Sequence, residues 1–229
     1  MIKLPKLNEQ TMFDFETNYH LTMNEERLGK FLAHYESMKI AQNIPGEIVE
    51  CGVFKGTSLM RFALLRNLFG GEKSTRLIGF DTFSNSYPNT TFKEDKIQRS
   101  HWIKTAGSSS IGKSQLISLF KKKNIKNYSL IKGDVKESIP KFIKLNPGLK
   151  ISLLNIDIDF VEPTLTVLNN FYSSVSKGGI ILFDNYAGRG NSGKYLHGDT
   201  RAIDTFFKNK KQKIYRYNFS PRPCYIIKK

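Results

Sequence analysis

Apolar residues follow two different spacings along this 229-residue chain, and the two spacings alternate. Short apolar runs of strand length lie at 47–51, 76–80, 128–132, 155–160 and 179–185. Segments with helical spacing lie before or between them, most clearly at 28–43, 57–69 and 163–174. Strands that alternate with helices predict a parallel sheet with both faces covered.

The end of the chain carries a different pattern. A helix-like segment at 200–208 is followed by two strand-like segments, 213–219 and 224–228, which the short turn 220–223 joins. A short turn brings consecutive strands together in antiparallel orientation. The sequence therefore predicts an α/β fold: a seven-stranded, mostly parallel sheet with an antiparallel C-terminal strand pair and helices on both faces.

A single domain over 1–229 is expected, because this length suits one α/β domain with a large buried core. Its first part, 1–44, is interpreted as an N-terminal helical segment. The helical spacing there comes from Leu28, Phe31, Leu32, Tyr35 and Met38.

A long insertion separates the second predicted strand from the third. Residues 84–113 are rich in Ser, Asn, Thr and Lys, and a helix-like stretch follows at 114–123. Long irregular segments in compact domains are usually lids or disordered. We predict that 84–113 forms a lid over the active edge of the sheet.

Composition narrows the class of protein. The apolar fraction is 39%, and no apolar run approaches the roughly 18 residues of a membrane span. Residues 1–15 lack the apolar core of a secretory signal, so a cytoplasmic location is expected. Cys51 and Cys224 lie in apolar, strand-like stretches and are interpreted as buried reduced thiols.

The chain is strongly basic. Lys and Arg outnumber Asp and Glu by 36 to 20, which gives a formal net charge of +16. Such a balance suits nucleic-acid binding, a membrane surface or an anionic substrate. The excess is mostly Lys beside Asn and Ile, as at 121–123 and 208–213, which solvated surfaces and biased codon usage explain equally well. Charge alone leaves these interpretations open.

The first strand runs into a glycine-containing loop with candidate binding residues. Glu50 ends the strand, Gly52 would let the backbone approach a ligand, and Gly56 and Thr57 would expose helix N-terminal amides to an anionic group. The dinucleotide fingerprint Gly-x-Gly-x-x-Gly needs a middle glycine, and this chain has none between Gly52 and Gly56. The spacing Glu-x-Gly-x-x-x-Gly is instead typical of S-adenosylmethionine sites.

Acidic residues also end the next strands. Asp81 follows the second strand, where it could accept hydrogen bonds from both ribose hydroxyls of a nucleoside. Asp134 follows the third strand, where it could lie beside an adenine or cap the next helix. Asp157 and Asp159 would share one face of the fourth strand, with Asp184 at the same edge. Carboxylates so placed predict a small cation site beside a general base.

Taken together, these motifs resemble the TylF-like sugar O-methyltransferases, the class I methyltransferases grouped with macrocin O-methyltransferase. The similarity covers about 23–207. It is carried by Pro45 to Gly56, by Asp81-Thr82-Phe83, by Asp157-Ile158-Asp159 with Pro163-Thr164, and by Asp184-Asn185-Tyr186. The resemblance implies a Rossmann-like class I methyltransferase fold with S-adenosylmethionine as cofactor.

The resemblance also assigns roles. Asp159 is expected to be the general base, and Asp157 and Asp184, with residue 185, are expected to bind Mg²⁺. The family has Asp at that last position, whereas this chain has Asn185, whose amide oxygen can still coordinate the ion. The expected cofactor contacts are Glu50, Gly52, Val53, Phe54, Gly56, Thr57, Ser58, Asp81, Thr82, Phe83, Asp134 and Asp157.

The expected activity is O-methylation of a sugar hydroxyl, assisted by Mg²⁺, on a small-molecule or glycan acceptor that a nucleotide could carry. Two alternatives stay open: ribose methylation of a nucleic acid, and a methyltransferase fold without catalysis. A homodimer also stays open. The missing Asn/Asp-Pro-Pro-aromatic run disfavours base amines as acceptors. His101, Trp102 and His197 are weaker candidates for acceptor contacts.

Overall fold

The computed structural model describes residues 2–4, 6, 8–187 and 198–229, without the side chain of Glu94. These residues form a seven-stranded sheet with the order β3-β2-β1-β4-β5-β7-β6. The pairings among β1 to β5 are parallel, whereas β7 runs antiparallel to both β5 and β6. The strands are β1 (Glu47–Cys51), β2 (Leu77–Asp81), β3 (Tyr128–Lys132), β4 (Ile151–Ile156), β5 (Val175–Phe183), β6 (Tyr215–Arg216) and β7 (Cys224–Ile227). This is the predicted sheet, including its antiparallel end.

Helices cover both faces of the sheet, as predicted. Within the described ranges they are α1 (Glu9–Thr22), α2 (Glu25–Ala41), α3 (Thr57–Leu68), α4 (Lys93–Ala106), α5 (Lys113–Lys122), α6 (Val135–Leu145), α7 (Val161–Phe171) and α8 (Gly198–Phe207). One apolar cluster joins α2, α3 and α5 to one face. A second cluster joins α6, α7 and α8 to the other face. Neighbouring strand residues such as Leu153 and Leu154 enter opposite clusters, because side chains alternate along a strand.

The fourth strand ends earlier than predicted. It covers Ile151–Ile156, and all six residues are buried, whereas Asp157 and Asp159 lie in the loop that leads to α7. The prediction that these two acids share a strand face is therefore wrong. Pairing with β1 stops at Ile156, and the chain then turns so that Phe160 can begin α7. Both acids still lie at the carboxyl edge of the sheet.

Helix α2 packs through a different face than its large apolar residues indicated. Leu28, Phe31 and Leu32 are 37–40% exposed. The buried residues are mostly small: Gly29, Ala33, Ser37 and Ala41, with His34 and Met38. A methyl group on Gly29 would lie 2.9 Å from the Ser220 hydroxyl oxygen, so this face requires small side chains. Small residues at a spacing of four let the helix backbone approach the sheet closely.

The insertion at 84–113 is more regular than predicted because it contains α4. The buried residues of α4 include Asp95 and Gln98, so no apolar periodicity marks this helix in the sequence. Its anchor is polar: the Asp95 carboxylate accepts a hydrogen bond of 3.0 Å from the backbone N–H of Val161 at the start of α7. The insertion therefore lies against the carboxyl edge of the sheet.

Two other expectations concern the state of the cysteines and membrane-spanning segments. Cys51 and Cys224 are buried free thiols, as predicted. None of the helices in the described residues has both the length and the apolar character needed to cross a bilayer.

His34 on α2 gives the fold a pH dependence that can be measured. The side chain is fully buried, its ring stacks on Phe62 with the centroids 4.7 Å apart, and no described group hydrogen-bonds to either ring nitrogen. Burial, together with the nearby Lys30 ammonium, lowers the pKa of His34 to about 3. Below its ordinary pKa of 6.5, the unfolded chain therefore binds a proton that the folded chain excludes.

We predict that the free energy of unfolding contributed by this site falls by about 1.4 kcal/mol per pH unit as the pH drops below 6.5 towards 3. Denaturant titrations across this range should show a shallower slope for His34→Leu than for the wild type. The exposed His20 provides the control, since His20→Leu should keep the wild-type slope. An unchanged slope in His34→Leu would contradict the prediction.

Candidate active site

Asp81 organises the loops that follow β1 and β2. One carboxylate oxygen accepts a 2.8 Å hydrogen bond from the Phe54 N–H, and the other accepts a 2.6 Å bond from the Phe83 N–H. Both phenylalanines have φ of +47°, a left-handed conformation that costs a non-glycine residue free energy. The carboxylate thus stabilises two strained positions. The oxygen that accepts from Phe54 keeps a second lone pair for a ligand hydroxyl. The other also accepts a long bond of 3.4 Å from the Thr82 hydroxyl, which a ligand hydroxyl would have to replace.

Gly52 is required by the loop after β4. Its φ is +95°, and a methyl group in place of its α-hydrogen would lie 2.0 Å from the Asp157 carbonyl oxygen. The predicted close approach is therefore made by protein backbone. It brings the loops after β1 and β4 together at the sheet edge.

A first cavity opens beside these loops, at the carboxyl ends of β1 to β4. Among the predicted cofactor residues, its lining includes Gly52, Phe54, Asp81, Thr82, Asp134 and Asp157. Asp134 also caps α6, because its carboxylate accepts a 2.9 Å hydrogen bond from the Lys136 N–H. Both interpretations of Asp134 are thus compatible with its position.

The other predicted cofactor residues do not line this cavity. They are Glu50, Val53, Gly56, Thr57, Ser58 and Phe83. The Glu50 side chain is fully buried, and its carboxyl group accepts a 2.8 Å hydrogen bond from the Asn155 amide. Burial raises the pKa of Glu50 to about 7. Gly56 faces Ile111 and Leu116, so these side chains lie against the helix N-terminus where an anion was expected.

A second cavity of about 350 Å³ lies on the other side of the same edge. The start of α2, the end of α4, the loops after β4 and β5, and Arg222 line it. The two cavities share four lining residues: Phe54, Tyr87, Asp157 and Asp159. The two cavities therefore border each other at these four residues, which we call the shared wall.

Asp159 belongs to the shared wall. One of its carboxylate oxygens accepts a 2.9 Å hydrogen bond from the Asn185 amide, and the other accepts a bond from the Tyr87 hydroxyl. Burial raises the pKa of Asp159 to about 6 even though the Tyr87 hydrogen bond acts in the opposite direction. A carboxylate with this pKa is a stronger base than an exposed one and is still mostly ionised at neutral pH.

Lys30 on α2 lies between the other two acids. Its ammonium nitrogen is 2.7 Å from a carboxylate oxygen of Asp184 and 3.3 Å from one of Asp157. Burial acts to lower the pKa of Lys30, but the two carboxylates outweigh it and raise the pKa, so the ammonium is charged. Burial also raises the pKa of Asp157, as does the neighbouring Asp184. Burial would raise the pKa of Asp184 too, yet Lys30 and Arg222 lower it to about 2.

Arg222 positions the third predicted metal ligand. Its guanidinium donates a 2.8 Å hydrogen bond to the amide oxygen of Asn185 and a 2.6 Å bond to Glu26. The backbone N–H of Asn185 bonds to the buried Asp199 at 3.2 Å. Asn185 is thus held from three sides.

This arrangement does not fit the Mg²⁺ ion that the resemblance implied. One carboxylate oxygen each of Asp157 and Asp184 contacts the Lys30 ammonium, and the amide oxygen of Asn185 already accepts from Arg222. Over the described part of the chain, no group of three or more His, Cys, Asp or Glu side chains could hold a metal ion. A divalent cation would have to displace two cations of the protein itself.

Sequence reasoning missed three residues of this site: Lys30, Tyr87 and Arg222. Lys30 is a single charge on a helix, and Tyr87 and Arg222 lie in a loop and a turn, so none belongs to a local motif. Trp102 lines the second cavity, whereas His101 does not, and the position of His197 lies outside the described residues.

Comparison with solved structures identifies the class of fold. The structure matches the calicheamicin methyltransferase CalS11 with a TM-score of 0.75 at 23% sequence identity, over 94% of this chain and 85% of that one. It matches the O-methyltransferase NovP with a TM-score of 0.73 at 17% identity, over 87% and 79% of the two chains. The fold is that of the class I methyltransferases.

The family follows from the sequence itself. A family model described as macrocin O-methyltransferase (TylF) matches residues 9–211. The chain therefore belongs to the macrocin O-methyltransferase family, as the sequence motifs predicted.

Two curated relatives are similar to this chain. One is the 8-demethyl-8-(2,3-dimethoxy-alpha-L-rhamnosyl)-tetracenomycin-C 4'-O-methyltransferase of Streptomyces olivaceus, 25% identical over 180 residues, which are 76% of this chain and 65% of that protein. The other is the demethyldecarbamoylnovobiocin O-methyltransferase of Streptomyces niveus, 24% identical over 187 residues, which are 76% and 64% of the two chains. The matched region thus spans about two thirds of either relative.

The close approach at Gly52 leads to a prediction that separates steric clash from backbone strain. Gly52→Ala should lower the free energy of unfolding by about 3 kcal/mol or more, because the added methyl group meets the Asp157 carbonyl and the left-handed conformation is itself strained. Thermal and denaturant unfolding would measure this loss.

Gly70→Ala is the matched control. Gly70 also has a positive φ, +76°, but a methyl group there would meet no atom within 4 Å. That variant should lose only the roughly 1–2 kcal/mol of the left-handed conformation. Equal losses in the two variants would contradict the assigned role of Gly52.

Proposed function

We propose that this protein is an S-adenosylmethionine-dependent O-methyltransferase whose acceptor is a hydroxyl of a sugar or of a glycosylated small molecule. The observation that carries the proposal is the shared wall. Two cavities at the carboxyl edge of the sheet both border Asp159, the half-buried carboxylate expected to be the general base. Membership of the macrocin O-methyltransferase family supports the same reaction.

The first cavity suits the methyl donor. The Asp81 carboxylate could accept hydrogen bonds from both ribose hydroxyls, one of them in place of the long Thr82 contact. Gly52 and Phe54 line the same cavity. When bound, S-adenosylmethionine supplies the methyl group as part of a positively charged sulfonium. Asp157 and Asp159, which line the cavity, bring negative charge to the region of that sulfonium.

The insertion acts as a lid in this proposal. The first cavity measures only about 100 Å³, below the 300–1,000 Å³ usual for small-molecule sites. Residues 87–90 of the insertion line it, and Tyr87 bonds to Asp159. This segment would therefore move outward when the cofactor enters and return over it.

Asp159 removes the proton in the proposed reaction. S-adenosylmethionine held beside this wall would supply the methyl group to the acceptor oxygen, and the sulfur would keep the electron pair of the broken carbon–sulfur bond. The hydroxyl proton would pass to the Asp159 carboxylate. The raised pKa near 6 brings this base closer to neutral pH, where general-base catalysis is efficient.

The second cavity suits a polar acceptor. At about 350 Å³ it has room for a sugar, and its lining combines Trp102 and Phe54 with charged and amide side chains, including the exposed Arg27. One curated relative carries a rhamnosyl group in its name, and a solved structure of CalS11, 24% identical, is titled a TDP-rhamnose 3'-O-methyltransferase. Family membership favours such an acceptor over a nucleic acid, which only the net charge of +16 suggests. Mg²⁺ assistance is left out of the proposal because the predicted ligands bind Lys30 and Arg222 instead.

Cofactor binding can be tested through Asp81. Asp81→Asn keeps one acceptor oxygen but removes the charge and one of the two backbone contacts. We expect its affinity for S-adenosylhomocysteine in calorimetry to fall about 10- to 100-fold, the value of a charge-assisted hydrogen bond. The control is Asp204→Asn, because Asp204 is exposed and accepts a hydrogen bond from Tyr186 outside both cavities. The absence of cofactor binding by the wild type, or equal affinity in Asp81→Asn, would contradict the proposal.

The catalytic assignment can be tested through Asp159. With a panel of nucleotide sugars and glycosides that includes TDP-rhamnose, Asp159→Asn should lower kcat about 10²- to 10⁴-fold, because the hydroxyl loses its base. The affinity for S-adenosylhomocysteine should stay nearly the same. Wild-type kcat in Asp159→Asn would show that another group removes the proton.

A further inference from the structure

We propose that Lys30 and Arg222 take the place of the metal ion in this enzyme, and that Lys30 donates a hydrogen bond to the acceptor oxygen during methyl transfer. This inference rests on the proposed O-methyltransferase function and goes beyond it by naming the cation that acts on the acceptor. It makes the reaction independent of divalent metal.

The position of Lys30 is the first observation. Its ammonium nitrogen lies 2.7 Å from Asp184 and 3.3 Å from Asp157, between the two carboxylates that would otherwise bind the ion. The side chain is 18% exposed and lines the acceptor cavity. An ammonium group has three N–H donors. Lys30 donates one to Asp157 and forms an ion pair with Asp184, so at least one N–H is left for a ligand in that cavity.

The second observation is Asn185, the position at which this chain departs from its family. Its amide nitrogen donates to Asp159, and its amide oxygen accepts from Arg222. An amide can donate to a carboxylate and accept from a guanidinium at the same time, whereas an ionised Asp can only accept. An Asp there would place a second carboxylate against Asp159, so the contacts of this site suit Asn at position 185.

Charge is balanced in the same way. A magnesium ion between Asp157 and Asp184 would bring two positive charges. Lys30 and Arg222 also carry two, and both lower the pKa of Asp184. Arg222 shares its charge with Glu26, so Lys30 is the main cation acting on the two carboxylates.

The chemical role follows from the geometry. As Asp159 takes the hydroxyl proton, negative charge grows on the acceptor oxygen, and the third N–H of Lys30 would stabilise it by a hydrogen bond. The ammonium keeps its protons throughout the step. A preorganised donor of this kind is worth about 10²- to 10³-fold in rate.

Metal binding provides a test that needs no acceptor. Mn²⁺ alone is titrated into the protein and followed by electron paramagnetic resonance. We expect no site-specific binding by the wild type at millimolar Mn²⁺. The double variant Lys30→Ala/Asn185→Asp, which removes the ammonium and adds a carboxylate, should bind Mn²⁺. The matched control is Lys39→Ala/Asn185→Asp, which keeps Lys30 and should not bind Mn²⁺. Lys39 pairs with Glu36 on the same helix.

Turnover provides a second test. Wild-type kcat on the sugar found in the panel should be unchanged by a chelator and by added Mg²⁺. Lys30→Met should lower kcat about 10²- to 10³-fold, while Lys39→Met keeps wild-type kcat.

The outcomes separate the two proposals. Specific Mn²⁺ binding by the wild type, or loss of its activity in chelator with recovery on adding Mg²⁺, would overturn the role of Lys30 and leave the O-methyltransferase proposal standing. Wild-type kcat in Lys30→Met would do the same. Failure to bind S-adenosylhomocysteine would instead overturn the proposed function, and the Mn²⁺ titration would still decide which cation lies between the carboxylates.

Discussion

The site depends on how buried negative charge is compensated at one edge of the sheet. Glu50, Asp157, Asp159 and Asp184 all follow or end neighbouring strands, and an unpaired carboxylate there would cost several kcal/mol. Each is compensated differently: Glu50 by an amide and a raised pKa, Asp159 by a tyrosine and an amide, and Asp157 and Asp184 by the ammonium of Lys30. These contacts tie α2, the insertion and the turn before β7 to the ends of β4 and β5.

The same compensation explains the packing around the site. Lys30 can reach the two acids only if α2 lies close to the sheet, and Gly29, Ala33 and Ser37 provide that close approach while larger apolar residues stay at the surface. Arg222 reaches Asn185 because the turn that carries it leads directly into β7, whose first residue pairs with the last residue of β5. Tyr87 brings the insertion onto Asp159 at the boundary between the two cavities. The shared wall is thus formed by distant parts of the chain that meet at one carboxylate.

Local patterns predicted most of the sheet. Short apolar runs such as that of Leu77–Asp81 favour a covered strand. The acids at the ends of β2 and β5 indicated the functional edge. Patterns were less informative where polar contacts decide the structure. Helix α4 buries Asp95 and Gln98, and β4 ends at Ile156 because the next residues must turn towards α7, so apolar periodicity marked neither boundary.

The predicted binding residues show the same limit. Asp81 and Gly52 could be identified because strand ends and left-handed turns have local signatures. Lys30 lies 127 residues from Asp157 in sequence, and Arg222 lies 37 from Asn185, so only the folded chain brings them together. The residues that the resemblance assigned to metal binding lie together at the sheet edge. The cations that contact them, Lys30 and Arg222, do not belong to the motifs that carry the resemblance.

A crystal of the protein with S-adenosylhomocysteine, soaked in Mn²⁺, would show which cation lies between the two carboxylates and where the methyl donor binds. We expect the cofactor sulfur beside the wall formed by Phe54, Tyr87, Asp157 and Asp159, facing the second cavity. We also expect the Lys30 nitrogen between Asp157 and Asp184, with no anomalous manganese peak there. A sulfur directed away from Asp159, or a manganese ion in place of Lys30, would refute the proposed site.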